Sequence, residues 1–361
     1  MTGLSMSRDQ ANEGARPSDR RSAFAGFADA VRPRVERELV RILDEEAAIS
    51  NDDGSTAALV GNVLRSVTMR GGKRLRPALL GVGFVAAGGS ADDRAIDVAG
   101  AAFELLQSYL LIHDDWMDES VLRRGGPTAH VMLQGALGEA SAEAGAILAG
   151  DYGCALSQRV MLEVPAPADR VLAASRMLAH VHSEVVRGQV IDMFERLDDE
   201  GAIEHGYALK TASYTVAGPL AIGALLAGGT EVAVLLGAIG RSVGVAFQLH
   251  DDLLGLFGDE KVTGKPVGTD LRDGKRTWLT AQFLRTARGR SLLSQVFGRK
   301  DAPADVVETV LFELRKEPAV DACRARIATL CEDACHRVDA SSLSNGELLR
   351  GAIELLTERD A

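Results

Sequence analysis

Two short segments of the chain each place a pair of aspartates at the end of an apolar stretch: IHDDWMD ends at Asp118, and LHDDLLG ends at Gly255. Carboxylates are costly to bury unless they are paired or bind a metal. On a helix, Asp114 and Asp118 would lie on one face about one turn apart, where their like charges repel. Mg²⁺ suits such a pair because it accepts one or two carboxylates together with waters and phosphate oxygens. We therefore expect the two segments to form one shared metal site.

Basic residues lie beside glycines in segments close to the acidic ones. GGKRLRP begins at Gly71, RRGGPT begins at Arg123, and GKPVGTDLRDGKRT follows the second acidic segment. An arginine in a glycine-containing turn is well suited to bidentate contacts with phosphate oxygens. Acidic segments for Mg²⁺ together with basic turns for phosphate predict that the protein binds a diphosphate.

The bulk composition fits a large folded domain and argues against some classes of partner. The chain has 361 residues, of which 46% are hydrophobic and 25% charged, and its net charge is −11. Such an acidic chain is not expected to bind nucleic acid or anionic membranes in general. The low aromatic content of 4% suits closely packed helices.

The cysteines and the apolar segments bear on location. The four cysteines lack the CxxC pairs of structural zinc sites, so we expect free thiols in a reducing cytoplasm. Residues 1–22 contain no apolar signal region and are predicted to form a disordered tail. The most apolar stretch, 216–227, is too short to cross a bilayer, so we expect no membrane-spanning helix.

The hydrophobic pattern from residue 23 onward is that of helices. Phe24, Phe27 and Val31 recur at spacings of three and four, as in an amphipathic helix. Residues 95–118 are apolar on nearly all sides until the aspartates, which is typical of a central helix. Because no strand-like alternation extends beyond a few residues, we predict an all-α single domain over 23–361 with a central helical bundle. Further helices are predicted at 59–69, 79–87, 142–161, 166–195, 208–226, 230–256, 278–284, 306–314, 319–338 and 346–358, with loops at 122–127, 258–277 and 299–303.

Taken together, these motifs resemble the trans-isoprenyl diphosphate synthases, or polyprenyl synthetases. The first acidic segment matches the family's DDxxD motif, and GGKRLRP, RRGGPT, LAGD, GQVID, Lys210-Thr211, FQLHDD and GKPVGTDLRDGKRT stand in the family's order. The resemblance implies a helical bundle of the isoprenoid synthase type with a central active-site cavity, commonly as a homodimer. It also implies head-to-tail condensation of isopentenyl diphosphate with an allylic diphosphate, releasing pyrophosphate.

The resemblance further implies a role for each matching residue. Asp114 and Asp118 would bind two Mg²⁺ ions and Asp251 a third, with Asp115 and Asp252 in support. The basic and polar residues divide between the two substrates. The allylic diphosphate and the leaving pyrophosphate would be bound by Arg123, Lys210 and Lys265. Isopentenyl diphosphate would be bound by Lys73, Arg76 and Arg124. A hydrogen bond to diphosphate would come from Gln107, and the reacting carbons would face Thr211 and Gln248.

In this family, the residues four and five positions before the first motif help to set product length, and here they are Leu110 and Tyr109. A bulky residue at only one of these two positions, without an insertion in the motif, is a pattern that resembles that of geranylgeranyl diphosphate synthases. Farnesyl and longer-chain products remain open. On an ideal helix, Leu110 lies about 40° from Asp114 and Tyr109 about 140°. Tyr109 can therefore form a floor only if the cavity runs between helices; otherwise it is a core residue.

Two other activities remain open. A class I terpene cyclase also uses an aspartate-rich Mg²⁺ site, but it needs no second diphosphate site, so GGKRLRP and Arg124 favour the synthase. A non-catalytic prenyltransferase subunit is expected to lose motif residues, whereas the first motif is complete. Gly255 departs from the commonest second motif, DDxxD. Because Asp251 would carry that side of the site, we expect Gly255→Asp to alter activity only modestly.

Overall fold

Long apolar helices form most of the structure, a computed structural model that describes residues 16–195, 199–258 and 267–357. Residues Ala208–Ala217 form a π-helix. The α-helices of the described residues are α1 (Pro17–Asp53), α2 (Ser55–Met69), α3 (Leu75–Ala86), α4 (Arg94–Met117), α5 (Ala129–Leu137), α6 (Glu139–Leu162), α7 (Ala168–Phe194), α8 (Glu200–Tyr207), α9 (Gly218–Ala227), α10 (Thr230–Phe257), α11 (Thr269–Arg272), α12 (Trp278–Arg285), α13 (Ala287–Leu293), α14 (Ala304–Leu314), α15 (Pro318–Asp339) and α16 (Gly346–Thr357).

Helices α4 and α10 are central to the bundle. Helix α4 packs against α1, α3 and α6, and its Phe103 and Leu105 are fully buried. Helix α10 packs against the π-helix, α9 and α15, and its Leu249 is also fully buried. Each acidic segment lies in the last turns of one of these helices. The apolar core thus positions both aspartate pairs.

The π-helix is held between α7 and α10 by close backbone contacts. A Cβ atom on Gly188 of α7 would lie 2.3 Å from the backbone nitrogen of Lys210, and one on Gly244 of α10 would lie 2.4 Å from the Cα of Ala212. Only glycine permits approaches of this kind. π-helical turns are rare and occur frequently at functional sites, and this one carries Lys210 and Thr211.

A short β-hairpin, with two residues in each strand, follows α4. Strand β1 (Leu122–Arg123) pairs antiparallel with β2 (Gly126–Pro127). At the tip, Arg124 has φ 51° and the glycine after it φ 73°; two positive φ values in a two-residue loop are typical of a type I′ turn. Arg70, which follows α2, anchors the hairpin, because its Nη1 donates to the Pro127 carbonyl at 2.6 Å.

The structure confirms the all-α prediction. The helices predicted at 95–118 and 230–256 agree with α4 and α10 to within one residue at each end. Helix α1 begins at Pro17, so the predicted disordered tail over 1–22 extends too far. The hairpin lies in the loop predicted at 122–127. The sequence analysis does not predict α5, α8 or α13, which are 7 to 9 residues long.

Two helices, α4 and α10, are long and apolar enough to cross a membrane by length and composition alone. Within the fold, 78% of the most apolar window of α4 and 50% of that of α10 are buried. Core helices of globular domains meet the same criterion, so these two helices are weak evidence for a membrane span.

Candidate active site

The buried aspartate of the first acidic segment is paired with an arginine of the hairpin. Arg123 Nε donates to Asp115 Oδ1 at 2.7 Å, and its Nη2 donates to the same oxygen. Burial opposes the charge of this guanidinium, but the hydrogen bond and charge of Asp115 outweigh it and raise the pKa of Arg123. Asp115 therefore supports the site as one half of a buried ion pair, and its neighbour Asp114 lines a cavity.

Asp114 is surrounded by donors from three different elements. Gln189 Nε2 of α7 donates to Asp114 Oδ1 at 3.2 Å, Lys210 Nζ lies 3.7 Å from the same oxygen, and Arg123 Nη2 lies 3.7 Å from Oδ2. Lys210 also forms a direct ion pair with Asp192 of α7. The ammonium group of the π-helix thus lies between two carboxylates.

Asp118 follows α4 at its C-cap, one turn beyond Asp114. Burial and then the negative charge of Asp114 raise the pKa of Asp118, and Lys210 and Lys275 offset part of this effect. The repulsion predicted from the four-residue spacing is therefore present in the fold. A bound cation would relieve it.

The second acidic segment has a buried aspartate with neutral partners. The Tyr207 hydroxyl donates to Asp252 Oδ2, and Gln248 Nε2 donates to Oδ1 at 3.0 Å. Burial raises the pKa of Asp252 to about 7, and these two hydrogen bonds oppose the shift. The Tyr207 hydroxyl in turn accepts a hydrogen bond from the backbone nitrogen of Trp278 at 2.9 Å. A chain of hydrogen bonds therefore fixes Asp252, while Asp251 beside it is only half-buried.

A chain of contacts and one lysine connect the two acidic segments. The Thr211 hydroxyl donates to Gln248 Oε1 at 2.7 Å, and Gln248 reaches Asp252, so the segment after Lys210 is tied to the second aspartate pair. Burial alone would lower the pKa of Lys275. The carboxylates of Asp192, Asp270, Asp252 and Asp114 together raise it above its ordinary value. Because aspartates of both segments raise the pKa of Lys275, the two acidic segments belong to one electrostatic site.

The carboxylate of Asp270 lies beside Gly255. A Cβ atom at this position would lie 2.8 Å from Asp270 Oδ2 of α11. An aspartate at 255 would therefore displace Asp270 and place a further negative charge beside it. The modest effect expected for Gly255→Asp is revised accordingly, and a larger loss of activity is expected.

A second basic cluster surrounds Arg124. Its Nη1 donates to the Gly71 carbonyl. Burial lowers the pKa of Arg124, and the like charges of Arg74, Arg76 and Arg123 add to this effect, against an opposing contribution from Glu104. Clustered guanidinium groups that disfavour one another's charge are suited to binding an anion.

An unpaired donor supports an anion site beside this cluster. Arg76 Nη2 donates to the Thr215 hydroxyl at 2.9 Å, but its buried Nε has no hydrogen-bond partner among the described residues. Buried polar atoms are rarely left unpaired, so Arg76 Nε fits a site completed by an anion. Within the same ranges, the buried Oε1 of Gln107 also lacks a partner, but it is an acceptor and would be satisfied by a donor, not by an anion.

Lys73 and its neighbour Arg74 differ in exposure. Lys73 is exposed and is free to reach a ligand from the turn before α3. Arg74, in the same turn, is buried against Glu104 at 2.5 Å and against the Thr68 carbonyl at 2.9 Å, so its role is structural. Lys265 lies outside the described residues.

An apolar cavity of about 470 Å³ leads away from Asp114 between α4 and α7. Tyr109 and Leu110 both line it, together with Val186 and Val190 of α7. The cavity thus runs between helices, which is the condition under which Tyr109 can face it at 140° from Asp114. The sequence alone leaves that condition open, because it depends on how α7 packs.

The donor set fits Mg²⁺ held partly by substrate. Among the described residues, no three His, Cys, Asp or Glu side chains converge closely enough to hold a metal ion by themselves. Mg²⁺ is commonly bound through one or two carboxylates, with water and phosphate completing its shell. Asp114 and Asp118, whose mutual repulsion Lys210 and Lys275 offset only in part, would hold it on one side and Asp251 on the other.

Several residues of the site are not among those predicted. Asp192 and Gln189 both lie in the GQVID region, and Lys275 lies in the GKRT segment, so the motifs contain a signal for them. Tyr207 has no such signal, because its contact with Asp252 joins α8 to α10 across 45 residues.

Comparison with known proteins agrees with this geometry. A family model described as "Polyprenyl synthetase" matches residues 57–314. The chain is 35% identical over 300 residues to the geranylfarnesyl diphosphate synthase of Aeropyrum pernix, covering 80% of this chain and 91% of that protein. It is 34% identical over 272 residues to the geranylgeranyl diphosphate synthase of Methanosarcina mazei, covering 74% and 80%.

A solved structure shows the same fold. The geranylgeranyl pyrophosphate synthase of Corynebacterium glutamicum, complexed with isoprenyl diphosphate and magnesium, superposes with a TM-score of 0.84 at 30% identity. The alignment covers 92% of this chain and 99% of that one. The family model, the relatives and the solved structure together show that the chain is a prenyltransferase and belongs to the polyprenyl synthetase family.

Proposed function

We propose that this protein condenses isopentenyl diphosphate with an allylic diphosphate head to tail, in a Mg²⁺-dependent reaction that releases pyrophosphate. The proposal rests on one observation: the site contains two separate cationic regions and an apolar cavity. Lys210 and Arg123 lie at Asp114, where the cavity begins, while Arg76 and Arg124 form the separate basic cluster. Two charged substrates and one growing apolar chain need this arrangement.

The chain's own residues supply orientation and charge. Lys210 and Arg123, with Lys265, would stabilise the negative charge of the departing pyrophosphate as the allylic C–O bond breaks. Asp114, Asp118 and Asp251 would hold Mg²⁺ together with the substrate. The bound Mg²⁺ would neutralise charge on the diphosphate oxygens and so favour that departure. The alkene of isopentenyl diphosphate then attacks the allylic cation, and a proton is lost to the departing pyrophosphate. Three ions are proposed from the family resemblance.

The apolar cavity supports geranylgeranyl diphosphate as the product. Tyr109 lines it on α4, where a bulky side chain would end the growth of the chain. The relatives named above for geranylgeranyl and geranylfarnesyl products support a chain in this range. Farnesyl diphosphate is the shorter alternative.

Incubation with isopentenyl diphosphate, a farnesyl primer and Mg²⁺, followed by mass spectrometry, tests the proposal. Elongation by one isoprene unit is expected, and no elongation with any allylic primer would refute it. Formation of a cyclic hydrocarbon from the primer alone would indicate a class I terpene cyclase. Activity that appears only with an added partner chain would indicate a non-catalytic subunit.

We further propose a cytoplasmic homodimer that does not span a membrane or bind nucleic acid. The net charge of −11 and the four free cysteines support this environment. Leu148 and Leu162 of α6 are 60% and 61% exposed, and Phe194 of α7 is 74% exposed, so these helices offer apolar surface to a second copy. Light scattering tests the dimer, for which twice the chain mass of 38.2 kDa is expected.

A further inference from the structure

A second cavity of about 210 Å³ lies beyond the first, farther from Asp114. On α4, the first cavity is lined from Tyr109 onward, whereas the second is lined by Leu106, one turn earlier. On α7, the first is lined by residues 185–194 and the second by residues between 175 and 182. The second cavity therefore continues the direction of the first. Its walls are largely apolar, with leucines and a methionine from α4, α6 and α7.

One hydrogen-bonded pair stands between the two cavities. Tyr109 lines the first, His182 lines the second, and the Tyr109 hydroxyl lies 3.1 Å from His182 Nε2. Their rings also meet edge to face, with centroids 5.1 Å apart. The pair thus joins α4 to α7 across the path from one cavity to the other.

Neighbouring side chains hold this pair in place. His113 packs edge to face on Tyr109 with ring centroids 4.7 Å apart, and its Nε2 lies 3.0 Å from the Ile147 carbonyl. On the other side, His182 Nδ1 lies 3.8 Å from Cys154 Sγ. Burial and then the proximity of His113 lower the pKa of His182, so the imidazole is neutral at physiological pH. A neutral pair is suited to a position between apolar spaces.

We propose that His182 is a product-length determinant, and that it acts as the second half of a partition whose first half is Tyr109. The inference rests on the proposed function, since it concerns where the growing prenyl chain stops. Tyr109 alone spans only the α4 side of the path. With His182 removed, the ring of Tyr109 loses its hydrogen-bond partner and can turn aside, and the end of the product enters the second cavity.

Product analysis of matched variants tests the partition. His182→Ala is expected to shift the main product by at least one isoprene unit to greater length, as is Tyr109→Ala. The double variant should give the same distribution as either single one, because each opens the same partition. His182→Gln, which keeps a hydrogen-bonding side chain of similar length, should retain the wild-type product. His180→Ala serves as control, because His180 is exposed on the same helix.

A variant in the second cavity tests where the added length goes. Ser175 lines that cavity, so Ser175→Leu should reverse the lengthening caused by His182→Ala. In the wild-type background, Ser175→Leu should leave the product unchanged. Thermal unfolding of every variant checks that each is folded. An unchanged product distribution for folded, active His182→Ala would overturn the proposal.

Binding measurements separate this inference from the proposed function. Affinities for farnesyl, geranylgeranyl and longer prenyl diphosphates can be measured by calorimetry without isopentenyl diphosphate. Wild-type affinity should fall at the length that the partition excludes, and His182→Ala should move that limit to a longer chain. If His182→Ala moves the length limit for binding but neither protein elongates a primer, only the proposed reaction is contradicted. An identical length limit in both proteins would overturn the partition.

Discussion

The two acidic segments bury one aspartate each, but they stabilise it in different ways. Asp115 at the end of α4 is paired with the guanidinium of Arg123, whereas Asp252 on α10 is bonded to the neutral groups of Tyr207 and Gln248. A buried carboxylate needs a partner, and an ionic partner favours its charged form far more than neutral donors do. Asp115 therefore has a charged partner, whereas burial among neutral partners raises the pKa of Asp252 to about 7.

The two segments are similar in sequence, but the side chains around their aspartates are different. In both segments the second aspartate of the pair is the buried one, and the first is left more accessible. In the first segment, however, the third carboxylate is Asp118 of the same motif. In the second, a carboxylate from α11, that of Asp270, lies beside Gly255. The two sides of the site are alike in their aspartate pairs and differ in the partner of the buried aspartate and in the origin of the third carboxylate.

The largest effect is expected from Asp114, which lies 3.7 Å from both Lys210 and Arg123. Asp114→Asn keeps the shape but removes the charge facing Lys210 and the proposed Mg²⁺, so turnover should fall by about a thousandfold. Steady-state assays with isopentenyl diphosphate and an allylic primer measure this loss. Asp92→Asn is the control, because the Asp92 side chain is 98% exposed. Retention of a tenth or more of the activity in Asp114→Asn would contradict this assignment.

The next largest effect concerns the partners of the buried aspartates. Arg123→Met leaves Asp115 as an uncompensated buried charge and should lower the free energy of unfolding by about 3 kcal/mol. Tyr207→Phe removes a neutral donor from Asp252 and should cost about 1–2 kcal/mol. Chemical denaturation at neutral pH measures both. Equal losses in the two variants would show that the ionic and neutral partners do not differ as described.

Gly255→Asp tests the arrangement around the second pair. The new side chain meets Asp270 and adds like charge, so activity should fall roughly tenfold, or about 1.4 kcal/mol in the barrier. Gly255→Ala should have a smaller effect, because a methyl group needs only a slight shift of the Asp270 carboxylate. Asp270→Asn in the Gly255→Asp background should recover part of the loss in the same assay. If the double variant is no better than Gly255→Asp, repulsion from Asp270 is not the cause.

A further effect is a pH dependence of stability. The pKa of Asp252 is about 7 in the fold, against an ordinary value of 3.8. Between these values the folded protein binds more protons than the unfolded chain, so this group lowers stability as pH rises. The melting temperature of metal-free Asp252→Asn, relative to wild type, should therefore increase from about pH 4 to pH 7 and then level off. A constant difference across this range would contradict the raised pKa.

Much of the fold is predictable from the sequence because the apolar periods are long. Helices α4 and α10 are recognised from uninterrupted apolar stretches, and the four-residue spacing of Asp114 and Asp118 defines their shared face. The π-helix at Ala208–Ala217 is predicted only as an ordinary helix. Its i→i+5 pattern depends on the close approach of Gly188 and Gly244 on neighbouring helices, which no local pattern contains.

The sequence by itself determined the family, the helical class, the two aspartate pairs and the basic segments, because each rests on residue types at short, regular spacings. Only the tertiary structure decided which partners those residues have. It brought Arg123 to Asp115, Tyr207 to Asp252 and Asp270 to the space beside Gly255. Pairings of this kind join separate elements, and their pKa values follow from burial. Both are properties of packing and therefore cannot be obtained from the order of residues along one helix.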